Sequence, residues 1–180
     1  HDLILQKHGW ILCTVPRSYY RVKPELWKRF CDELADTGRV IRRDASPRDP
    51  LDVAEGYRYL SRLTRLALEK FVEHADPEHP RFYRLSHETG KIGADNPDSY
   101  YQNCVIDGRF DYRIRGTDFT VPWFSIGTKS RAVDVKSFVS TGEIDSRNMK
   151  FEADGSFEIA VSAKEQPGNW LPCTENSGMI

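Results

Sequence analysis

The stretch that decides the fold is Asp95 to Gly116, DNPDSYYQNCVIDGRFDYRIRG, in which an Asp107-Gly108 pair separates two alternating segments. Asp-Gly between alternating apolar residues is typical of a β-hairpin with a two-residue turn. Such a turn fixes the register, so Ile106 is expected opposite Arg109 and the pairing continues outward from there. We therefore predict that the stretch forms the central hairpin of a sheet.

Opposed residues of this hairpin would share a face of the sheet. The first face is expected to meet the core, because it is apolar apart from one amide, and it consists of Tyr101, Asn103, Val105, Phe110, Tyr112 and Ile114. The second face is mostly polar and consists of Tyr100, Gln102, Cys104, Asp111, Arg113 and Arg115. A buried Asn103 would need hydrogen-bond partners, so its amide is either structural or directed at a ligand.

The polar face has two interpretations. One wet face is usual for an antiparallel sheet, and then the face simply meets solvent. The alternative is a pocket wall on which Arg113 and Arg115 bind a carboxylate or phosphate, with Asp111 orienting them, because guanidinium groups suit planar, bidentate recognition of such anions.

Two helices are predicted ahead of the hairpin. Pro24 suits a first helical turn, apolar residues follow at helical spacing, and Gly38 is a plausible end. Val40-Ile41 is then a short strand or the start of a loop. A longer helix is predicted from Pro50 to about Ala75, with a broad apolar stripe that we expect to pack on the sheet. The stripe consists of Val53, Tyr57, Leu60, Leu63, Thr64, Ala67, Leu68, Phe71 and Val72.

The chain stays β-like after the hairpin. Strands are predicted within 119–127 and 131–140, and a turn at 141–145. A second hairpin is predicted over 148–163 with a three-residue loop, 153–155, because this register sets Phe151 opposite Phe157. The fold class is therefore α+β, with N-terminal helices in residues 1–80 packed on a mainly antiparallel, jelly-roll-like β-sheet in residues 81–180.

Composition excludes several classes of protein. The 180 residues suffice for one domain with a core, and 39% hydrophobic and 29% charged residues are ordinary for a globular protein. A net charge of −1 gives no field that would attract nucleic acid. No apolar run approaches the ~20 residues that span a bilayer, so no membrane partner is expected.

Cysteine and histidine spacing indicates neither a disulfide framework nor a metal site. The four cysteines, Cys13, Cys31, Cys104 and Cys173, are scattered, which favours free and mostly buried thiols in a reducing, cytoplasmic compartment. His74, His79 and His87 do not have a known ligand spacing. We predict no metal and no cofactor.

Several segments together resemble the DUF1214 domain of bacterial proteins, a domain of unknown function. They are the quoted stretch and the segments 142–145, 154–159 and 166–172 (GEID, DGSFEI and QPGNWLP). The Asn-x-Asp-Ser-x-Tyr element at 96–101 is also similar to one in the companion DUF1254 domain. The resemblance implies a jelly-roll-like fold in a soluble bacterial protein, in the context of steroid, terpenoid or aromatic catabolism, without an established activity. Relatives usually continue into more sheet, so we expect a fragment, a homo-oligomer or a second chain that completes the sheet.

Two hypotheses for function remain open. The first is an enzyme acting on a small apolar substrate with a carbonyl or anionic group, with Asp98 as base or orienter and Tyr101 as proton donor. Its substrate-binding residues would be Asn96, Asn103, Arg113, Arg115 and Trp170. The second is a non-catalytic ligand-binding or assembly module, in which Asn96 and Asp98 only shape a turn. Arginines paired only to surface acids would favour the module.

Overall fold

The computed structural model describes residues 4–7, 24–118, 121–130 and 138–180. Within these residues the chain forms two α-helices and two β-sheets, which confirms the α+β class. The predicted strand within 131–140 lies largely outside the described residues, as do Cys13 and positions 119–120.

Both predicted helices are present. Helix α1 spans Pro24–Thr37 and continues as a 3₁₀ turn, Gly38–Arg42, where a short strand or loop start was predicted instead. Helix α2 spans Pro50–Leu68, and Asp49 caps it by accepting a hydrogen bond from the N–H of the second helical residue at 2.8 Å. A π-helical turn, Glu69–Glu73, extends α2. No helix of the described residues is long and apolar enough to cross a membrane.

In the part of the chain that the structure describes, seven strands form two sheets. The strands are β1 (Ile4–Lys7), β2 (Tyr112–Thr117), β3 (Ser125–Ser130), β4 (Ser140–Asp145), β5 (Ser156–Ser162), β6 (Asn169–Pro172) and β7 (Ser177–Met179). One sheet has the order β1-β2-β5-β6 and the other the order β4-β3-β7. All pairs are antiparallel except β5 with β6. Residues 141–145, predicted as a turn, belong to β4, where Gly142 pairs with Thr128.

The two sheets and the segment before β2 enclose one apolar core. Alternate residues of β2 and β5 point into it, as the two-residue period of a strand requires. The core consists of Cys104, Ile106, Tyr112, Ile114, Ile126, Met149, Phe157, Ile159, Val161, Leu171, Cys173 and Ile180. Cys104 and Cys173 are free and buried as predicted, whereas Cys31 on α1 is free but exposed.

The predicted central hairpin is wrong. Strand β2 pairs with β1 and β5, and the segment before Asp107 pairs elsewhere. Cys104 exchanges two backbone hydrogen bonds with Ile180, at 2.8 and 2.9 Å. The Asp107-Gly108 pair does form a turn, closed by the Phe110 N–H on the Asp107 carbonyl at 2.9 Å. Gly108 lacks the positive φ that a two-residue type I′ hairpin turn requires, so the turn redirects the chain without pairing its arms.

The prediction of which side chains face the core is confirmed for β2 and is wrong for the segment before it. Tyr112 and Ile114 are buried, and Arg113 and Arg115 point outward, as predicted. In the preceding segment the burial is inverted, because Cys104 is fully buried while Tyr101 is 44% exposed. A one-residue difference in phase reverses both faces of a strand, and the partner that sets this phase is β7 rather than β2.

The second hairpin is confirmed in its loop and in its aromatic contact. The Glu152 N–H donates to the Ser156 carbonyl at 2.8 Å, so three residues form the loop, and Gly155 adopts a φ of 79°. Phe151 packs edge-on against Phe157 with ring centroids 5.7 Å apart. The arm before the loop is not a regular strand; its Lys150 N–H binds the side chain of Asn169 instead.

The apolar stripe of α2 does not pack on the sheet, contrary to the prediction. Phe71 is 70% exposed and Tyr57 and Leu68 are also exposed. The buried residue of α2 is Leu66, which lies against Gly90 so closely that a Cβ there would be 2.9 Å from the Leu66 Cδ1 atom. The helix therefore packs on the 83–90 loop, and its end lies beside the β4-β3-β7 sheet.

Candidate functional site

The two predicted arginines share one carboxylate. On the outer face of the first sheet, Glu158 of β5 accepts Arg113 Nη1 on one oxygen and Arg115 Nε on the other, the latter at 2.7 Å. The hydrogen bond from Arg115, with the positive charge of Arg113, holds the pKa of Glu158 below its ordinary value. All three side chains are more than a third exposed. This is a surface ion-pair cluster on an open face.

Asn96 and Asp98 lie together in an exposed turn. The Asn96 side-chain oxygen accepts the Asp98 N–H at 3.0 Å, and the Asn96 carbonyl accepts the Ser99 N–H at 3.2 Å. These are the hydrogen bonds of an Asx turn, in which the amide side chain replaces a backbone acceptor. The Asp98 side chain is exposed, so Asp98 is a turn residue on the protein surface.

The other three predicted site residues occupy separate structural positions. Tyr101 is exposed, and Asn103 is half-buried in an isolated β-bridge, where its backbone pairs with that of Tyr83 at 2.9 Å in both directions. The Trp170 indole N–H donates to the Ser162 carbonyl and hydroxyl, at 3.2 and 3.1 Å. The indole is thus held by β5 and stabilises the β5–β6 pair.

An apolar cleft lies between the helix end, the segment before Asp107 and the edge of the β4-β3-β7 sheet. Its volume is about 580 Å³, within the range of small-molecule sites. The lining side chains come mainly from the π-helical turn, the segment before Asp107, position 138 shortly before β4, and β7. The principal ones are Lys70, Phe71, Val105, Ile106, Phe138 and Met179.

Lys70 brings the positive charge of this cleft. Its Nζ atom lies 5.2 Å from the ring centre of Phe71 and 5.7 Å from that of Phe138, within the range of cation–π contact. Burial lowers the pKa of the Lys70 amine. Over residues 24–118, 121–130 and 138–180, no carboxylate lies within ion-pair distance of it.

Among the described residues that line the cleft, Asp107 carries a carboxylate, and Arg109 binds it. Asp107 is 3% exposed, and its oxygens accept the Arg109 N–H at 3.1 Å, Nε at 2.9 Å and Nη2 at 2.6 Å. Its own N–H donates to the Tyr112 hydroxyl at 2.8 Å. Asp107 is therefore a buried turn residue, and Arg109 rather than Lys70 compensates its negative charge.

Sequence patterns did not identify this cleft. In the sequence, Lys70 lies next to the apolar stripe. A regular α-helical period would direct its side chain to solvent. The π-helical turn, closed by His74 N–H on the Glu69 carbonyl at 2.9 Å, adds a residue to the turn and changes the directions of its side chains. The sequence feature that could have indicated the cleft is the continuation of the apolar stripe to Phe71, at the end of the helix.

The described residues contain no group of three His, Cys, Asp or Glu side chains that could hold a metal ion. Among the buried side-chain polar atoms of the described residues that lack a hydrogen-bond partner are the Tyr83 hydroxyl and His74 Nδ1, whose rings stack 4.7 Å apart. Burial raises the pKa of Tyr83 to about 12, so its hydroxyl stays protonated.

No protein-family model and no curated protein matches the sequence. A solved structure is similar: the crystal structure of an uncharacterised protein from Burkholderia cenocepacia, at 45% sequence identity and a TM-score of 0.79. The match covers 85% of this chain and 43% of that chain, so the sequence spans less than half the length of its structural neighbour. The likeness concerns the fold, and it brings no chemistry with it.

Proposed function

We propose that the protein binds a small, mostly apolar molecule that carries an anionic or carbonyl group, in the cleft beside Lys70. The observation that carries this proposal is a lysine in an apolar cleft with no carboxylate in reach among the described residues. An ammonium ion that has lost part of its water without gaining an anion is unfavourable. A ligand with one negative or partly negative oxygen would compensate it.

The surroundings of Lys70 favour an apolar body on the ligand. Phe71, Phe138 and Met179 offer rings and a thioether, which are groups adapted to irregular apolar ligands. Phe71 is largely exposed, and a bound ligand would remove part of that ring from water at about 25 cal/mol per Å². The charge would orient the ligand and the apolar area would supply most of the binding free energy.

Binding without catalysis is the better supported of the two hypotheses. Arg113 and Arg115 meet a surface acid, Glu158, which is the arrangement expected of a module. An enzyme that uses Asp98 and Tyr101 remains the alternative proposal. Full turnover in both Asp98→Asn and Tyr101→Phe would eliminate it.

The finer structural and biological expectations also remain proposals. Two sheets around one core are compatible with a jelly-roll-like sandwich of the DUF1214 type. The motif set quoted above supports membership in that family, and free thiols support a reducing compartment. Under this proposal the ligand would be a catabolic intermediate of the steroid, terpenoid or aromatic class.

A matched pair of ligands tests the proposal. Naphthalene-2-acetate and the neutral naphthalene-2-acetamide have the same ring and differ in charge, and their affinities can be compared by calorimetry. We expect the acid to bind about tenfold more tightly, which corresponds to 1.4 kcal/mol. Lys70→Met should abolish the difference and Lys70→Arg should retain it. Equal affinities for wild type, or a difference that persists in Lys70→Met, would contradict the proposal.

A second candidate function is self-association through α1. This helix has no buried residue, and it exposes Leu26, Trp27 and Phe30, with Trp27 61% exposed. Its charges largely pair within the helix, as Lys28 does with Asp32 at 2.6 Å, and the chain's net charge of −1 opposes the approach of a second copy only weakly. The partner we propose is a second copy of this chain.

Light scattering after size exclusion tests this candidate. We expect a concentration-dependent dimer that Trp27→Glu converts to a monomer, while Glu25→Gln on the same helix leaves it intact. A monomer at all concentrations would rule out self-association.

A further inference from the structure

We propose that Lys70 captures carbonyl compounds covalently, as an imine formed between its side-chain amine and an aldehyde or ketone held in the cleft. The inference rests on the proposed function, because the apolar lining must first bind the carbonyl compound. It adds a chemical step to a site so far described only as a binding cleft.

The placement of Lys70 meets the first requirement, which is an amine that a ligand can reach and that no acid occupies. Nζ faces the cleft between two rings, and no ion pair holds it within the described residues. Two surface lysines differ in this respect, since Lys28 binds Asp32 at 2.6 Å and Lys91 binds Asp95 at 3.1 Å. A lysine held by a carboxylate is kept protonated and is a poor nucleophile.

The second requirement is a supply of neutral amine, since only the unprotonated form attacks a carbonyl. Desolvation in the cleft favours this form and lowers the pKa of Lys70. The two rings act in the opposite direction, because they attract the ammonium ion. Burial is the larger effect here, since Phe71 is largely exposed and cation–π attraction is weak at exposed sites.

The reaction balances without a further reagent. The Nζ lone pair forms a bond to the carbonyl carbon, and proton transfer from nitrogen to oxygen gives a carbinolamine. Loss of water then gives the imine, so one water leaves for each ligand bound, and nothing is oxidised or reduced. Water in the open cleft reverses the step, which makes the capture reversible.

Reductive trapping tests the inference. The full chain is incubated with naphthalene-2-carbaldehyde and sodium cyanoborohydride, which reduces the imine to a stable secondary amine, and the labelled lysine is located by peptide mass spectrometry. We expect Lys70 to be labelled ahead of every other lysine. Lys70→Arg should lose this label, and Lys91→Arg, which alters a paired surface lysine, should keep it.

The outcomes separate this inference from the proposed function. Labelling spread evenly over surface lysines, together with tight binding of naphthalene-2-acetate, would overturn the imine and leave the binding function standing. Failure of both ligands would overturn both proposals. Label at Lys70 in wild type that excess naphthalene-2-acetate suppresses would support both, because it places the two ligands in one cleft.

Discussion

The Tyr112 hydroxyl lies 3.0 Å from the carbonyl oxygen of Pro77, and this contact joins the loop after the helical segment to a core strand. The same hydroxyl accepts the Asp107 N–H at 2.8 Å. Pro77 and Asp107 both line the cleft. One buried hydroxyl on β2 therefore holds two walls of the proposed ligand site at a fixed separation.

Removing this hydroxyl should destabilise the fold. Tyr112→Phe leaves the buried Asp107 N–H without its acceptor, and we expect the free energy of unfolding to fall by about 1–3 kcal/mol. Urea denaturation measures the change. The matched variant is Tyr83→Phe, which removes a buried hydroxyl that has no partner, and it should be neutral or stabilising. Equal losses in both variants would contradict the role assigned to the Tyr112 hydroxyl.

Gly108 should tolerate no side chain. A Cβ at this position would lie 1.7 Å from the carbonyl oxygen of Thr174, so the turn and the segment before β7 would have to separate. We expect Gly108→Ala to cost about 3 kcal/mol or more. Gly127→Ala is the control, because its Cβ would meet its nearest neighbour at 3.4 Å, and it should cost less than about 1 kcal/mol. Thermal unfolding of the two variants compares them, and similar stabilities would refute the close approach.

The ion pairs of Glu158 should make stability depend on pH in the acidic range. The pKa of Glu158 is lowered in the folded state, so its contribution is present above the ordinary value of 4.5 and is lost as the pH falls through the folded value. Glu158→Gln should therefore lose stability less steeply than wild type between about pH 5 and pH 3. Glu143, exposed on β4 and without an ion pair in the described residues, provides the control variant Glu143→Gln. Parallel pH profiles for wild type and Glu158→Gln would show that solvent screens the pair completely.

The charged amine of Lys70 should lower the stability of the folded state. Its pKa is lowered on folding, so the charged amine is unfavourable below the folded pKa, and the penalty disappears as the pH rises toward the ordinary 10.5. Lys70→Met should raise Tm at neutral pH by about 1–3 °C, and the gain should shrink at alkaline pH. Calorimetric scans at two pH values measure this. A lower Tm for Lys70→Met would mean that the ring contacts outweigh desolvation.

Local patterns predicted the helices because the determinants of a helix are local. The prolines at positions 24 and 50, with the helical spacing of the apolar residues, correctly predict where α1 and α2 begin. The three-residue loop before β5 was predictable for the same reason, since Gly155 and the apolar register act within a few residues.

Strand pairing was not predictable to the same degree, because partners distant in sequence decide it. Asp107-Gly108 carries a strong hairpin signal, yet β5 and β7 supply the partners of the two flanking segments. The cleft escaped prediction for the same physical reason. Lys70, Phe138 and Met179 come together only through tertiary packing, and a π-helical turn alters the direction in which the helix end presents its side chains.

A crystal structure of the protein with naphthalene-2-acetate tests the central claim most directly. We expect the carboxylate within 4 Å of Lys70 Nζ, the ordinary limit for an ion pair, and the naphthalene ring against Phe71, Phe138 and Met179. Binding of the carboxylate at Arg113 and Arg115, with Glu158 displaced and the cleft beside Lys70 unoccupied, would contradict the claim.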